Sequence, residues 1–172
     1  MIFYALAIFV VLLDQLAKWW IVHRVGDRSL CGEVLRFTVT HNTGAAFGLF
    51  PGARIPFIVI SVAAAAGLVY AHHALAPSDR RRPFLALILG GNLGNLADRL
   101  RVGRVTDFID MGIGTTRWPV YNVADIAVVC GAVGLGWLLL RDVMHERAPR
   151  SPVLVSAADD SAGPEETAAD AR

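Results

Sequence analysis

A chain of 172 residues that is 55% hydrophobic and 18% charged, with a mean hydropathy of +0.49, carries too little charge for a soluble domain of its length. Its net charge of +1 divides unevenly: residues 151–172 hold five acids against one base, a net of −4, which leaves +5 for residues 1–150. No basic cluster marks a nucleic-acid surface, so the composition points to a membrane protein rather than a soluble enzyme or a nucleic-acid binder.

Four apolar blocks approach the length of about 20 residues that spans hydrocarbon: Ile2–Val22, Pro56–His73, Phe84–Leu100 and Val120–Leu140. The first lacks a basic leader and is interrupted by Asp14, Gln15 and Lys18, so it reads as a retained helix and not a cleaved signal peptide. Asp14 and Lys18 are four apart, a favourable helical pair. In the following loop, Val34–Thr40 is rich in β-formers, with Phe37 and Val39 alternating against Thr38 and Thr40. His41-Asn42-Thr43-Gly44 then predicts a turn, and residues 45–50 form an apolar segment that could lie on the membrane face.

The third block is the least apolar. It contains Gly90, Gly91, Asn92, Gly94, Asn95 and Asp98, so other helices should shield it from lipid. Asp98 is followed by Arg99, which suggests an ion pair or a hydrogen-bond anchor as its structural role. Beyond it, Val105–Asp110 alternates as a short extended segment with Asp107 opposed to Phe108, while Asp110 looks like an ordinary exposed residue. The fourth block opens after Pro119 on Asn122-Val-Ala-Asp125, which echoes Asn95-Leu-Ala-Asp98. Each puts an amide three residues before a carboxylate on one helix face, and the second also fits a helix cap. From Pro149 the composition predicts a disordered acidic cytoplasmic tail, to which no function is assigned. Cys31 and Cys130 are expected to be unpaired.

Arg80, Arg81 and Arg82 share a side with Arg141, Arg147 and Arg150, whereas the loops 23–55 and 101–119 spread seven basic residues over more than twice the length. That bias puts both termini in the cytoplasm and these two loops outside. Asp14, Asp98, Asp107, Asp110 and Asp125 then all fall toward the outer surface, as if in one site. An intramembrane carboxylate is costly and usually functional. Two acids in a partly dry site separate their proton affinities, so that one activates water and the other hydrogen-bonds a carbonyl oxygen, as in aspartic peptidases. The same acids suit proton or cation transport, and residue physics alone leaves both open. No metal-ligand spacing and no Ser/His/Asp order is present.

Over roughly residues 1–145 the chain resembles the lipoprotein signal peptidases (signal peptidase II), bacterial membrane aspartic peptidases. The resemblance lies in Asp14-Gln-Leu-Ala-Lys18, Asn42-Thr-Gly-Ala-Ala-Phe-Gly48, Gly94-Asn-Leu-Ala-Asp-Arg99, Val105-Thr-Asp107-Phe108 and Tyr121-Asn-Val-Ala-Asp125, in that order. Ala97, Thr106 and Tyr121 depart from commoner residues but touch no charged or amide position. The resemblance implies an all-α membrane domain over residues 1–148, with four transmembrane helices and a small β-structured element in the first outer loop. It implies a catalytic pair, Asp107 and Asp125, supported by Asp14, Lys18, Asn42, Gly44, Asn95, Asp98, Arg99, Asn122 and Ala124, with no metal or organic cofactor. It also implies a monomer among the lipids of the bacterial cytoplasmic membrane. There it would cut prolipoproteins just before a diacylglyceryl-modified cysteine at the outer face.

Overall fold

The structure is a computed structural model that describes residues 1–31, 34–44, 52–75 and 77–146. Four long helices carry a small sheet: α1 Ile2–Trp20, α2 Arg54–Ala74, α3 Arg82–Arg101 and α4 Val123–Glu146. A π-turn, Ile21–Val25, extends α1 and ends at Gly26, which takes a positive φ of 65°. With that extension α1 is long and apolar enough to cross a membrane, and so are α2 and α4.

Helix α3 falls short of that standard because of its glycines, amides and Asp98, and it is the central helix, packed on α1, α2 and α4. Its small residues permit the approach. A Cβ on Gly90 would stand 2.7 Å from the Ala7 carbonyl oxygen of α1, and one on Gly91 would stand 2.3 Å from the Ala124 carbonyl oxygen of α4. The apolar core at the other end of the bundle joins Phe3 and Ala7 of α1 to Leu85, Ala86 and Leu89 of α3.

The sheet is antiparallel and four-stranded, in the order β1 (Arg28–Cys31), β2 (Leu35–Asn42), β3 (Val105–Ile113) and β4 (Thr116–Arg117). Strand β2 pairs with β3 from Leu35 opposite Met111 to Asn42 opposite Val105, with one extra β2 residue between Phe37 and Thr40. Such a bulge bends a strand and re-aims its side chains, and this one lies beside Asp107, the partner of Thr40. Tyr121 then closes on β3: its carbonyl accepts from Phe108 and Ile109, and its N–H donates to Ile109. This bridge delivers the start of α4 to the middle of β3.

Several expectations shift. His41 and Asn42 continue β2 instead of turning, because the ladder to Thr106 and Val105 holds them extended. Tyr121 bridges to Ile109 of β3, so α4 begins at Val123 and runs on to Glu146. Asp110 is not an exposed residue: it is 3% exposed, gripped by Arg36 Nε and Arg117 Nε at 2.5 Å each and by the Thr38 hydroxyl at 3.2 Å. Burial pushes its pKa up, but these three donors outweigh it and hold the carboxyl below its usual range. Residues 45–50 and the tail from Pro149 lie outside the described residues, as does the side chain of Cys31; Cys130 is a free, exposed thiol.

Gly91→Ala should lower stability by about 1–3 kcal/mol, because the added methyl meets a backbone carbonyl rather than a side chain that can turn away. Unfolding of the purified protein in detergent would measure it, and an unchanged midpoint would mean that α3 and α4 are not so closely packed.

Candidate active site

Helix α1 supplies Asp14 and Lys18 one turn apart, both buried. The Lys18 ammonium lies 2.7 Å from Asp14 Oδ2, 2.9 Å from Asp98 Oδ2 and 3.2 Å from Asn95 Oδ1. Its three protons thus meet three acceptors, two of them on α3. The ion-pair partner of Asp98 is Lys18 and not Arg99, as helix geometry requires, since successive side chains point apart. Gln15, to which the sequence alone assigns no role, stitches the same joint: its Nε2 donates to Asp98 Oδ1 at 2.9 Å and to Asp14 Oδ2 and the Gly94 carbonyl at 3.2 Å. A polar residue between Asp14 and Lys18 in an apolar block is the one signal that points to it.

The start of α4 is capped three ways. Asn122 Oδ1 accepts from the Asp125 N–H at 2.9 Å, and Asp125 Oδ2 accepts from the Asn122 N–H at 3.2 Å, a reciprocal capping box. Asp14 Oδ1 accepts from the Ala124 N–H at 2.9 Å across 110 residues of sequence. Ala124 therefore enters the site through its backbone. Gly94 makes this possible, since a Cβ there would stand 2.8 Å from Asp14 Oδ2.

Asn122, fully buried, is the hinge between the two carboxylates. Its Nδ2 donates to Asp107 Oδ1 at 2.6 Å, while its backbone N–H serves Asp125. Asn95 donates to Asp125 Oδ1 at 2.8 Å and accepts from Asn122 Nδ2 at 3.1 Å. Asn42 hydrogen-bonds Asp107 from β2, its own Oδ1 being occupied by the Gly44 N–H at 2.9 Å. Arg99 reaches the Gly44 carbonyl at 3.3 Å and lies over the Phe57 ring at 5.3 Å. The eleven residues singled out from the sequence thus converge on one region.

Asp107 and Asp125 both face a cleft of about 550 Å³ between α2, α3, α4 and the segment 118–121. Its depth is apolar, with Ala64 and Leu68 of α2, Ile88 of α3 and Val128 and Val129 of α4. A second cavity of about 360 Å³, lined by residues 40–44, shares Asn42, Asp107, Pro119 and Val120 with the first. Burial pushes the Asp107 carboxyl up to about 7, the nearby Asp125 charge adds to this, and hydrogen bonds from Asn122 and Asn42 and the Lys18 charge oppose it. The sign follows: Asp107 keeps its proton to near neutral pH and loses it above. Among the described residues no group of three His, Cys, Asp or Glu side chains could hold a metal.

Two carboxylates that share one asparagine at the edge of an apolar cleft are an arrangement suited to acid-pair hydrolysis, and three of the helices are long and apolar enough to cross a bilayer. The class so defined is a membrane aspartic peptidase. Comparison with known proteins agrees. The family model described as signal peptidase (SPase) II matches residues 6–141. The lipoprotein signal peptidase of Halalkalibacterium halodurans is 40% identical over 151 residues, 86% of this chain and 95% of that protein. That of Moorella thermoacetica is 44% identical over 143 residues, 80% of this chain and 92% of that one. Two solved structures of bacterial membrane enzymes, determined by the in meso method at 2.3 and 1.9 Å, align with TM-scores of 0.78 and 0.72 at 30% and 31% identity. They cover 86% and 80% of this chain, and 92% of each solved chain is matched. The chain belongs to the signal peptidase II family.

Lys18→Met should cost about 3–5 kcal/mol, because it leaves Asp14 and Asp98 buried without their shared cation. Equilibrium unfolding would read this, with the exposed Arg80→Gln as a surface control; equal midpoints for the two variants would refute it.

Proposed function

We propose that Asp107 and Asp125 are the carboxylates with which this peptidase removes the signal peptide of prolipoproteins, cutting just before a diacylglyceryl-modified cysteine. The observation that carries the assignment is the asparagine shared between them, Asn122 giving its side-chain N–H to Asp107 and its backbone N–H to Asp125. In this scheme Asp107 holds the proton and polarises the scissile carbonyl, while Asp125, at a helix start that favours negative charge, takes a proton from the attacking water. Water oxygen bonds to the carbonyl carbon, the tetrahedral intermediate hydrogen-bonds Asp107, and the proton gained by Asp125 passes to the departing cysteine amine. Asn95, Asn122 and Asn42 fix the two carboxylates, and Asp14, Lys18, Asp98 and Ala124 fix the helices that carry them. Arg99 and Gly44 shape the mouth.

The apolar cleft between α2, α3 and α4 suits the hydrophobic part of the signal peptide, and the smaller cavity along residues 40–44 suits the polar chain beside the cut. In the arrangement we favour, four helices span the bilayer as a monomer, with α3 shielded by the other three. Both termini are cytoplasmic, and the sheet and the acid pair lie at the outer face. The charge bias of the loops supports it. Residues 1–148 form the working domain, and the tail beyond is dispensable. A transport role has no support, since Asp14 and Asp98 are both ion-paired to Lys18 and neither lines the cleft.

Asp107→Asn and Asp125→Asn should each lower kcat/KM on a purified diacylglyceryl prolipoprotein by about 10²–10⁴-fold or more while leaving the thermal midpoint near that of the wild type. A variant that still cuts at the wild-type rate would remove that aspartate from the pair.

The reaction needs Asp107 protonated, so kcat/KM should be sustained below the raised pKa of about 7 and fall as pH climbs through it. A pH profile with one lipopeptide substrate would check this; a rate that keeps rising to pH 9 would assign the proton elsewhere.

A further inference from the structure

At the opposite end of the bundle, about 20 Å along α3 from Asn95, the start of α1, the end of α2 and the start of α3 enclose a cavity of about 690 Å³. Arg82, His72 and His73 line it, with Phe3, Asp79 and Pro83. The His72 ring stacks on Phe3 with centroids 3.9 Å apart and planes 5° apart, and His73 Nε2 is hydrogen-bonded to the Tyr4 hydroxyl at 2.7 Å. Both imidazoles are therefore held in place. Arg82 Nε and His72 Nδ1 are buried and have no hydrogen-bond partner among the described residues. Unpaired buried polar atoms are costly, and native structures rarely leave them so. Asp79 occupies only an outer nitrogen of Arg82, at 2.8 Å, and its side chain is 93% exposed, so the pair is a weak surface contact.

Tyr4, whose hydroxyl holds His73, lines a second feature. An almost wholly apolar groove of about 890 Å³ runs down α1, α2 and α3, past Ile8 and Leu12 of α1, Val62 and Val69 of α2 and Leu93 of α3. From Tyr4 to Leu12 it extends about 12 Å. It lies on the α1 side of the bundle, whereas the cleft with the acid pair lies between α2, α3 and α4.

A donor-rich pocket at a helix end, next to an apolar groove down the same helices whose Tyr4 hydrogen-bonds the pocket's His73, matches an amphiphile with an anionic head. We propose that it binds one anionic glycerophospholipid of the bilayer, with the phosphate at Arg82, His72 and His73 and an acyl chain in the α1–α2–α3 groove. Basic pockets between membrane helices are known recognition sites for acidic head groups. A free anion would leave the groove uncovered, and an acyl chain alone would leave Arg82 Nε and His72 Nδ1 unpaired. The inference rests on the helices lying in a bilayer, and holds whichever aspartate carries the reaction.

The test uses the full chain in a neutral detergent, titrated with dioleoyl phosphatidylglycerol, dioleoyl phosphatidylcholine or inorganic phosphate, with the thermal midpoint read at each step. Wild type is compared with Arg82→Gln, which removes the guanidinium, and Ala66→Phe, which fills the groove from an exposed position. Phosphatidylglycerol should raise the wild-type midpoint saturably, and each variant should need about tenfold more of it for the same shift. Peptidase activity in detergent should stay at the wild-type level in both, which separates a failed lipid site from a failed fold. An equal shift with phosphatidylcholine would reduce the effect to general lipid packing, and an equal shift with phosphate would leave only an anion site. Variants that titrate like the wild type would overturn the proposal, as would the absence of any shift.

Discussion

The buried ammonium of Lys18 is the joint on which the site depends. Taking a lysine and two aspartates out of water is expensive, and attraction repays the cost only when every proton and lone pair finds a partner. Here Asp14, Asp98 and Asn95 take the three ammonium protons, Gln15 serves the other oxygen of Asp98, and the Thr106 N–H shares its Oδ2 with Lys18. The consequences reach beyond charge. Asp14, held by Lys18, turns its other oxygen to the first turn of α4, so the ion pair between α1 and α3 also sets where α4 begins.

That arrangement explains how a helix as polar as α3 can occupy the middle of a membrane bundle. Its amides and Asp98 face neighbouring helices, and its glycines remove the side chains that would hold those neighbours away. The two devices need each other. Without Gly94 the Asp14 carboxylate could not reach Ala124, and without the polar joint the close packing would have nothing to align. Helix α2 is tied on by Asn92, which donates to the Ser61 carbonyl at 2.8 Å, and by Arg54, which caps the carbonyls of Arg99 and Leu100 at 2.9 and 3.0 Å.

What is legible in the sequence follows from this physics. Apolar block length and intramembrane acids are local signals, so the helices and the five carboxylates stand out from the residues alone. The Asn122–Asp125 cap is local too, and its reciprocal geometry follows from a spacing of three. Partners far apart in sequence are not legible: Asp14 with Ala124, or Asp110 with Arg36. Asp110 reads as exposed because alternation along a strand tells inside from outside only where the strand is regular and one face is wet. Here a bulge in β2 and the return of Tyr121 bury Asp107, Phe108 and Asp110 together. The roles of Asp107 and Asp125 come from motif resemblance, since residue chemistry alone leaves transport open.

The acids of this protein divide by the kind of donor that holds them. Asp14, Asp98, Asp110 and Asp142 each meet a lysine or arginine within an ion-pair distance. Among the described residues Asp107 and Asp125 receive hydrogen bonds from amides alone, those of Asn42, Asn95 and Asn122. A cation bonded to either would favour the charged form of both and displace the one proton that the proposed mechanism keeps between them. Neutral amides hold the same geometry with less bias on the charge. Arg99 is close enough to be felt electrostatically, yet its guanidinium is engaged by the carbonyls of Gly44 and Asn95 and by the Phe57 face. In the proposed mechanism, the distribution of asparagines and lysines around five similar aspartates is thus what separates acids that hold the fold from the pair that exchanges a proton.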